Sequence, residues 1–195
     1  AQQILLEAFT DKELKHIMDE MFIDDTVDII EEMPANVVSR MLSAAGDKRE
    51  SINKILNYPE DSAGSIMALE YITFLPTMTI GDALKKIKSM GAKFETVYTC
   101  YVVEKHKLLG IISAKELLTQ DDDVVISDVM ETNIITVNTH ADKEEVANLL
   151  NKYDFLALPV VDVENCMVGI VTIDDAMDVI LEEAGFELRQ PGCSA

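Results

Sequence analysis

The chain has 195 residues, 48% of them hydrophobic, enough for one large or two small packed domains and too many for wholesale disorder. Its formal charge of −20 argues against nucleic acid or an anionic membrane surface as partner. No apolar run approaches the roughly 18 residues of a membrane-crossing helix, and no signal peptide is visible. Cys100, Cys166 and Cys193 are odd in number and widely spaced, so they give no disulfide framework and no zinc pattern. His16, His106 and His140 are isolated and read as ordinary residues. The chain opens on Ala1 rather than Met and is read as part of something longer.

Residues 1–62 read as short helices. Thr10-Asp-Lys-Glu13 is a capping box, followed by Leu14, Ile17, Met18 and Met21 at helical spacing. A second helix spans Asp24 to Met33, with Val27, Ile30 and Met33 inward. Pro34 suits the first turn of a third, which carries Val37, Val38, Met41 and Leu42 and stops near Gly46. Asp47 is expected to cap a fourth, with Ile52, Ile55 and Leu56 buried. Helices this short do not persist alone in water. They are expected to stack as an all-α superhelical domain.

Pro59-Glu-Asp-Ser-Ala-Gly64 marks a boundary. A duplication follows. Ser65 to Phe74 aligns with Asp128 to Val137, matching Met67 to Met130 and Thr73 to Thr136. The helices Thr79 to Ile87 and Asp142 to Leu150 correspond. Next comes a strand, turn, strand and helix start in each copy. These are Tyr101 to Glu116 and Pro159 to Asp175, in which Gly110 answers Gly169, Ser113 answers Thr172 and Glu116 answers Asp175. Each copy therefore exposes one apolar sheet face, and two copies should pack face to face. Asp121-Asp-Asp123 joins them. Copy one is placed at 63–127 and copy two at 128–186. Residues 187–195 have no periodicity and are read as a frayed tail or the start of a connecting helix.

Leu109-Gly-Ile-Ile-Ser-Ala-Lys-Glu116 and Val168-Gly-Ile-Val-Thr-Ile-Asp-Asp175 resemble the signature of tandem CBS domains. Their flanks extend the likeness: an acidic helical region, Tyr58-Pro-Glu-Asp-Ser-Ala-Gly-Ser-Ile-Met67, and Asn151-Lys-Tyr-Asp-Phe155 before Leu158-Pro-Val-Val161. Together they resemble the cytosolic half of an MgtE-type magnesium transporter. The implied fold is α+β overall, an all-α superhelical N-terminal domain followed by a tandem pair of α/β CBS domains. The resemblance implies a homodimer through the CBS faces, at the cytoplasmic face of the cell membrane. It also implies a transmembrane pore domain C-terminal to this chain.

Asp175, Asp178 and Glu182 fall three and four residues apart on one helix face, and Asp174 stands four before Asp178. Like charges so spaced destabilise a helix slightly, and a bound cation would offset that. Acids at a helix start also complement its dipole, which accounts for Asp174 and Asp175 without a ligand. Asp24 and Asp28 are one turn apart, and a solvated face explains them equally well. By the resemblance, Asp24, Asp28, Asp154, Asp175, Asp178 and Glu183 fall where the family places Mg2+-facing carboxylates. The resemblance also implies ATP as a ligand. Ser113 with Glu116 and Thr172 with Asp175 would hold ribose and phosphate, and Phe155 would either stack on adenine or serve as a core residue. Both hydroxyl–acid pairs are also plain capping boxes, and Glu116 departs from the usual Asp.

No Walker-type loop and no nucleophile–base constellation is visible, so a regulatory module is expected rather than an enzyme. The leading expectation is a Mg2+-sensing region that gates magnesium transport by compaction of a dimer. The alternative is an adenine-nucleotide-sensing CBS module of another transporter or enzyme.

Overall fold

The computed structural model describes residues 9–183, with the backbone alone of Glu182 and Glu183. The expected tail from Glu187 lies outside these residues. Among the described residues, four helices belong to the first domain: α1 (Asp11–Glu20), α2 (Ile23–Glu31), α3 (Ala35–Ala44) and α4 (Arg49–Leu56). Each is amphipathic, and Met18, Val27, Ile30, Val37, Met41, Ile52 and Ile55 meet in one core. The capping box at α1 is formed: Thr10 Oγ1 accepts from the Glu13 amide at 3.4 Å, and Glu13 Oε2 accepts from the Thr10 amide at 2.8 Å. Pro34 occupies the N-cap of α3, one position before the expected first turn. That helix ends before Gly46, whose φ of 56° is the left-handed conformation glycine tolerates.

Asp47 does not cap the fourth helix. It sits in a 3-10 turn, Gly46–Lys48, that runs straight into α4. Arg49 N–H donates to Gly46 O, so the turn itself occupies an amide that a cap at Asp47 would have held. The Lys48 ammonium donates to the carbonyls of Met18, Asp19 and Met21 at 2.9, 2.9 and 2.7 Å. It thereby covers carbonyls that α1 leaves unpaired at its C-terminus.

The duplicated part folds as two like modules. The first contains β1 (Thr73–Phe74), α5 (Ile80–Met90), β2 (Thr99–Glu104), β3 (Lys107–Ser113) and α6 (Ala114–Thr119). The second contains α7 (Ile126–Val129), β4 (Val137–Asn138), α8 (Lys143–Tyr153), β5 (Ala157–Val161), β6 (Met167–Thr172) and α9 (Ile173–Glu183). Each sheet has a parallel pair followed by an antiparallel pair, in the order β1-β2-β3 and β4-β5-β6. Even the register shift repeats, at Val102/Val103 and at Val160/Val161.

The modules lock by exchanging their leading segments. Ala68, ahead of β1 in the first module, pairs with Ile170 of the second. Glu131, ahead of β4 in the second, pairs with Ile111 of the first. The methionine just before each pairing residue lands on the other module's glycine. A Cβ on Gly169 would lie 2.7 Å from Met67 Sδ, and one on Gly110 would lie 2.5 Å from Met130 Sδ. The repeated Met and the repeated Gly are thus two ends of one contact. Ala68, Tyr101, Ala157, Met167 and Ile170 fill the core between the sheets.

The stretch from Tyr58 to Gly64 fastens the helical domain to the second module. Ala63 and Gly64 amides donate to Ala141 and Thr139 carbonyls at 2.7 and 2.8 Å, and Lys143 N–H donates to Asp61 O at 3.1 Å. A side chain at Gly64 would meet the Tyr58 ring at 2.6 Å and Thr139 O at 2.9 Å, so only glycine permits this approach.

Gly169→Ala is expected to lower stability to urea by about 1–3 kcal/mol through overpacking. Part of that loss comes from Met67. The Gly169→Ala, Met67→Ala double variant should therefore lose less than the sum of the two single variants. Strict additivity would refute the exchanged contact.

Candidate functional site

Leu69 packs against both the helical core and the core of the second module. Its neighbour Glu70 reaches the start of α2, where Oε1 accepts from the Ile23 amide at 3.2 Å. Phe22 at the N-cap of α2 offers no side-chain bond of its own. The helix is therefore held by its first turn against the paired modules, and that turn carries Asp24 and Asp25.

Asp24 is only 8% exposed. Burial pushes its carboxyl up to about 7, and Asp175, Glu95 and Asp25 add repulsion. The Asp25 amide, which donates to Asp24 Oδ1 at 3.0 Å, opposes the shift. Asp28 lies one turn further out. Partial desolvation, then Asp175, Glu31, Asp25 and Asp178, raise it to about 6. Asp175 is raised by burial, with Asp174 and Asp178 adding to the shift. Hydrogen bonds to its Oδ2 from the Thr172 hydroxyl at 2.6 Å and the Thr172 amide at 3.2 Å pull the other way.

Two further carboxylates enter from the first module. Glu95 is raised by burial, then by Asp175, Asp25, Glu70 and Asp174. Glu70 is raised by burial and opposed by the Ile23 amide and the Lys48 charge. The Oε2 atoms of Glu70 and Glu95 are both buried without a hydrogen-bond partner.

The structure thus gathers four of the six expected metal-facing acids, Asp24, Asp28, Asp175 and Asp178, at the boundary between α2 and α9. Asp154 stands apart from them. It is the exposed C-cap of α8 with φ 53°, and it is not among the charges acting most strongly on the boundary acids. Glu183 ends α9, and its side chain lies outside the described residues, as does that of Glu182. Asp25, Glu31, Glu70, Glu95 and Asp174 join the set without having been singled out as metal-facing.

These donors are all hard carboxylate oxygens, and two of them are buried and unpartnered, which fits a hard divalent cation. Among the described residues no group of three or more acidic, histidine or cysteine side chains forms a ready cage. A cation that keeps most of its water and takes one or two carboxylates directly, as Mg2+ does, would need no such cage.

The nucleotide candidates are otherwise engaged. Glu116 Oε2 accepts from the Ser113 amide and hydroxyl at 2.9 and 3.0 Å, which is the capping box of α6. Thr172 and Asp175 make the same arrangement at α9. Phe155 packs on the second-module core and stacks on Tyr153, with ring centroids 5.5 Å apart. A cleft of about 230 Å³ between the modules is walled by Leu108, Thr132, Thr136 and Asn165, at the opposite end of β3 from Ser113. It falls below the roughly 300 Å³ at which pockets hold drug-sized ligands.

No helix among the described residues is long and apolar enough to cross a membrane. The MgtE intracellular N domain matches residues 1–61, and the CBS domain matches 63–122 and 126–182. The magnesium transporter MgtE of Bacillus subtilis is 37% identical over 169 residues, covering 86% of this chain and 38% of that protein. The Enterococcus faecalis MgtE is 39% identical over 134 residues, covering 68% of this chain and 30% of that protein. The chain thus spans about a third of the curated relatives it matches. The crystal structure of the soluble part of a magnesium transporter superposes with a TM-score of 0.88 at 33% identity, covering 92% of this chain and 71% of that one. The cytosolic domain of the Mg2+ channel MgtE, solved in complex with ATP, gives 0.67 at 30% identity, covering 89% and 77%. With an MgtE intracellular N domain joined to two CBS domains, and these relatives on either side of it, the chain belongs to the MgtE family of magnesium transporters.

Proposed function

We propose that this chain is the cytosolic Mg2+-sensing regulatory region of a magnesium transporter, not an enzyme, and that it gates a membrane pore by divalent-dependent compaction of a homodimer. One observation carries the reading: Asp24, buried on α2, meets its strongest repulsion from Asp175 on α9, across a domain boundary. A divalent cation there supplies positive charge between carboxylates. The chain's own residues do the rest. Asp24, Asp28, Asp175 and Asp178 repel when charged, and they push the helical domain from the paired modules. Leu69 and the Tyr58–Gly64 stretch keep the two connected.

A carboxylate pair about 4 Å apart repels by roughly 4 kcal/mol at an effective dielectric of 20. About 5.5 kcal/mol moves a two-state equilibrium almost fully. Two such pairs supply the magnitude a switch needs. A homodimer through the CBS helices is supported by apolar side chains exposed on both modules: Leu118 at 75% on α6, and Met177 at 48% on α9. Adenine nucleotide is a second reading, favoured by the relative solved with ATP. Glu116 and Asp175 each use one oxygen in a capping box, which leaves the other for a ribose.

Small-angle scattering should show the radius falling as Mg2+ is added and recovering with chelator. A radius indifferent to Mg2+ sinks the proposal. Calorimetry with ATP, alone and with Mg2+, decides the second reading: heat from ATP supports it, and none removes it.

Neutralising the pair should replace the ion. Asp24→Asn with Asp175→Asn is expected to be compact without Mg2+ and to respond to it several-fold less. A double variant that still needs Mg2+ to compact would count against this boundary as the sensor.

pH should act in the same direction as the cation. The docked carboxyls of Asp24 and Asp28 bind protons more tightly than the ordinary value of 3.8, reaching about 7 and about 6. Protons therefore favour docking below those values, and this contribution is lost as pH rises through them. Metal-free protein is expected to be more compact near pH 5.5 than near pH 8, and Mg2+ to matter more at the higher pH. Equal radii at both would contradict the assignment.

A further inference from the structure

We infer that Glu70 is a positioning residue: from the paired modules it accepts from the first amide of α2, and so sets the sensor acids in place. This rests on the reading of the α2–α9 boundary as a Mg2+ sensor. The first amides of any helix lack intrahelical acceptors. At α1 a local threonine serves, but at α2 the N-cap is Phe22, which has no acceptor in its side chain. Glu70, 47 residues away and in another domain, accepts from Ile23 N–H at 3.2 Å. The next residue in α2 is Asp24. Capping is thus tied to docking, because α2 meets this acceptor only when it lies on the modules.

The same residue fixes a second sensor acid. The Glu70 carbonyl accepts from the Glu95 amide at 2.8 Å, which holds the loop carrying that carboxylate. Leu69 beside it is gripped by two cores, so the backbone of Glu70 is anchored on both sides of the boundary. A carboxylate at a helix N-terminus is also favoured by the helix dipole. Glu70 is therefore an acid that attracts α2 toward the modules, while Asp24 and Asp175 repel across the same seam.

The test compares Glu70→Ala, which removes the acceptor, with Glu70→Gln, which keeps an oxygen for Ile23 N–H and removes the charge. Compaction is followed by scattering across a Mg2+ titration, and amide exchange at Ile23 is read in the same samples. Loss of the acceptor should raise the Mg2+ midpoint about five-fold, the size of one lost N-cap. It should also expose the Ile23 amide to exchange. The glutamine variant, which also takes a carboxylate from the acidic set, is judged on the amide: Ile23 should stay protected from exchange, as in the parent.

Two unshifted variants would overturn the inference. So would an Ile23 amide equally exposed to exchange in both variants, since charge rather than amide acceptance would then be at work. A parent chain that ignores Mg2+ overturns the sensor reading, and Ile23 exchange still decides the cap: an unprotected amide in compact parent protein means that the cap is absent.

Discussion

The fold has to hold carboxylates together that electrostatics drives apart. Asp24 is almost fully removed from water, with Asp175 and Glu95 as its strongest charged neighbours across the seam. A buried apolar residue at that position would stabilise the seam without conditions. An aspartate makes docking of the helical domain depend on whatever neutralises it, whether proton or cation. The rest of the architecture is arranged to survive that condition. The Tyr58–Gly64 stretch is bound to the second module by backbone hydrogen bonds, which no change of charge on Asp24 removes. The helical core and the inter-sheet core are each complete without the acidic boundary. What is left to vary is one seam, and the forces across it are few and nearly balanced.

Features that were legible in the sequence have short-range causes. The Thr10–Glu13 box, the stop at Gly46 and the amphipathic stripes depend on residues three or four apart, and the structure contains them. The duplication was legible because the same local solutions recur. The contact between Met67 and Gly169 was not, although both residues had been matched to partners in the other copy. Alignment pairs like with like, whereas folding crossed the copies and set methionine on glycine. Glu70 and Glu95 were invisible for a related reason. Neither lies in a helical stripe or a signature, and each acquires its role only when another domain arrives. Asp47 misled because an acid before a helix usually caps it, and here a 3-10 turn had already occupied the amide.

The duplication also separates a specific acidic site from a merely acidic protein. The signature helix α6 corresponds to the first six residues of α9. Where α9 has Asp174, Asp175 and Asp178, α6 has Lys115, Glu116 and Thr119. Where the lead into the first module has Glu70, the lead into the second has Asn133. A net charge of −20 spread for solubility gives no reason for this inequality. Location does. The acids of α9 and the glutamate at 70 meet α2, and Asp175 is the strongest charge on both Asp24 and Asp28. Of their counterparts in the other copy, Glu116 closes the capping box of α6. Two copies of one fold have kept the same cap, the same register shift and the same methionine–glycine lock, and have diverged at the positions that face the helical domain. Repulsion has been concentrated at the one boundary where relieving it changes how the domains sit.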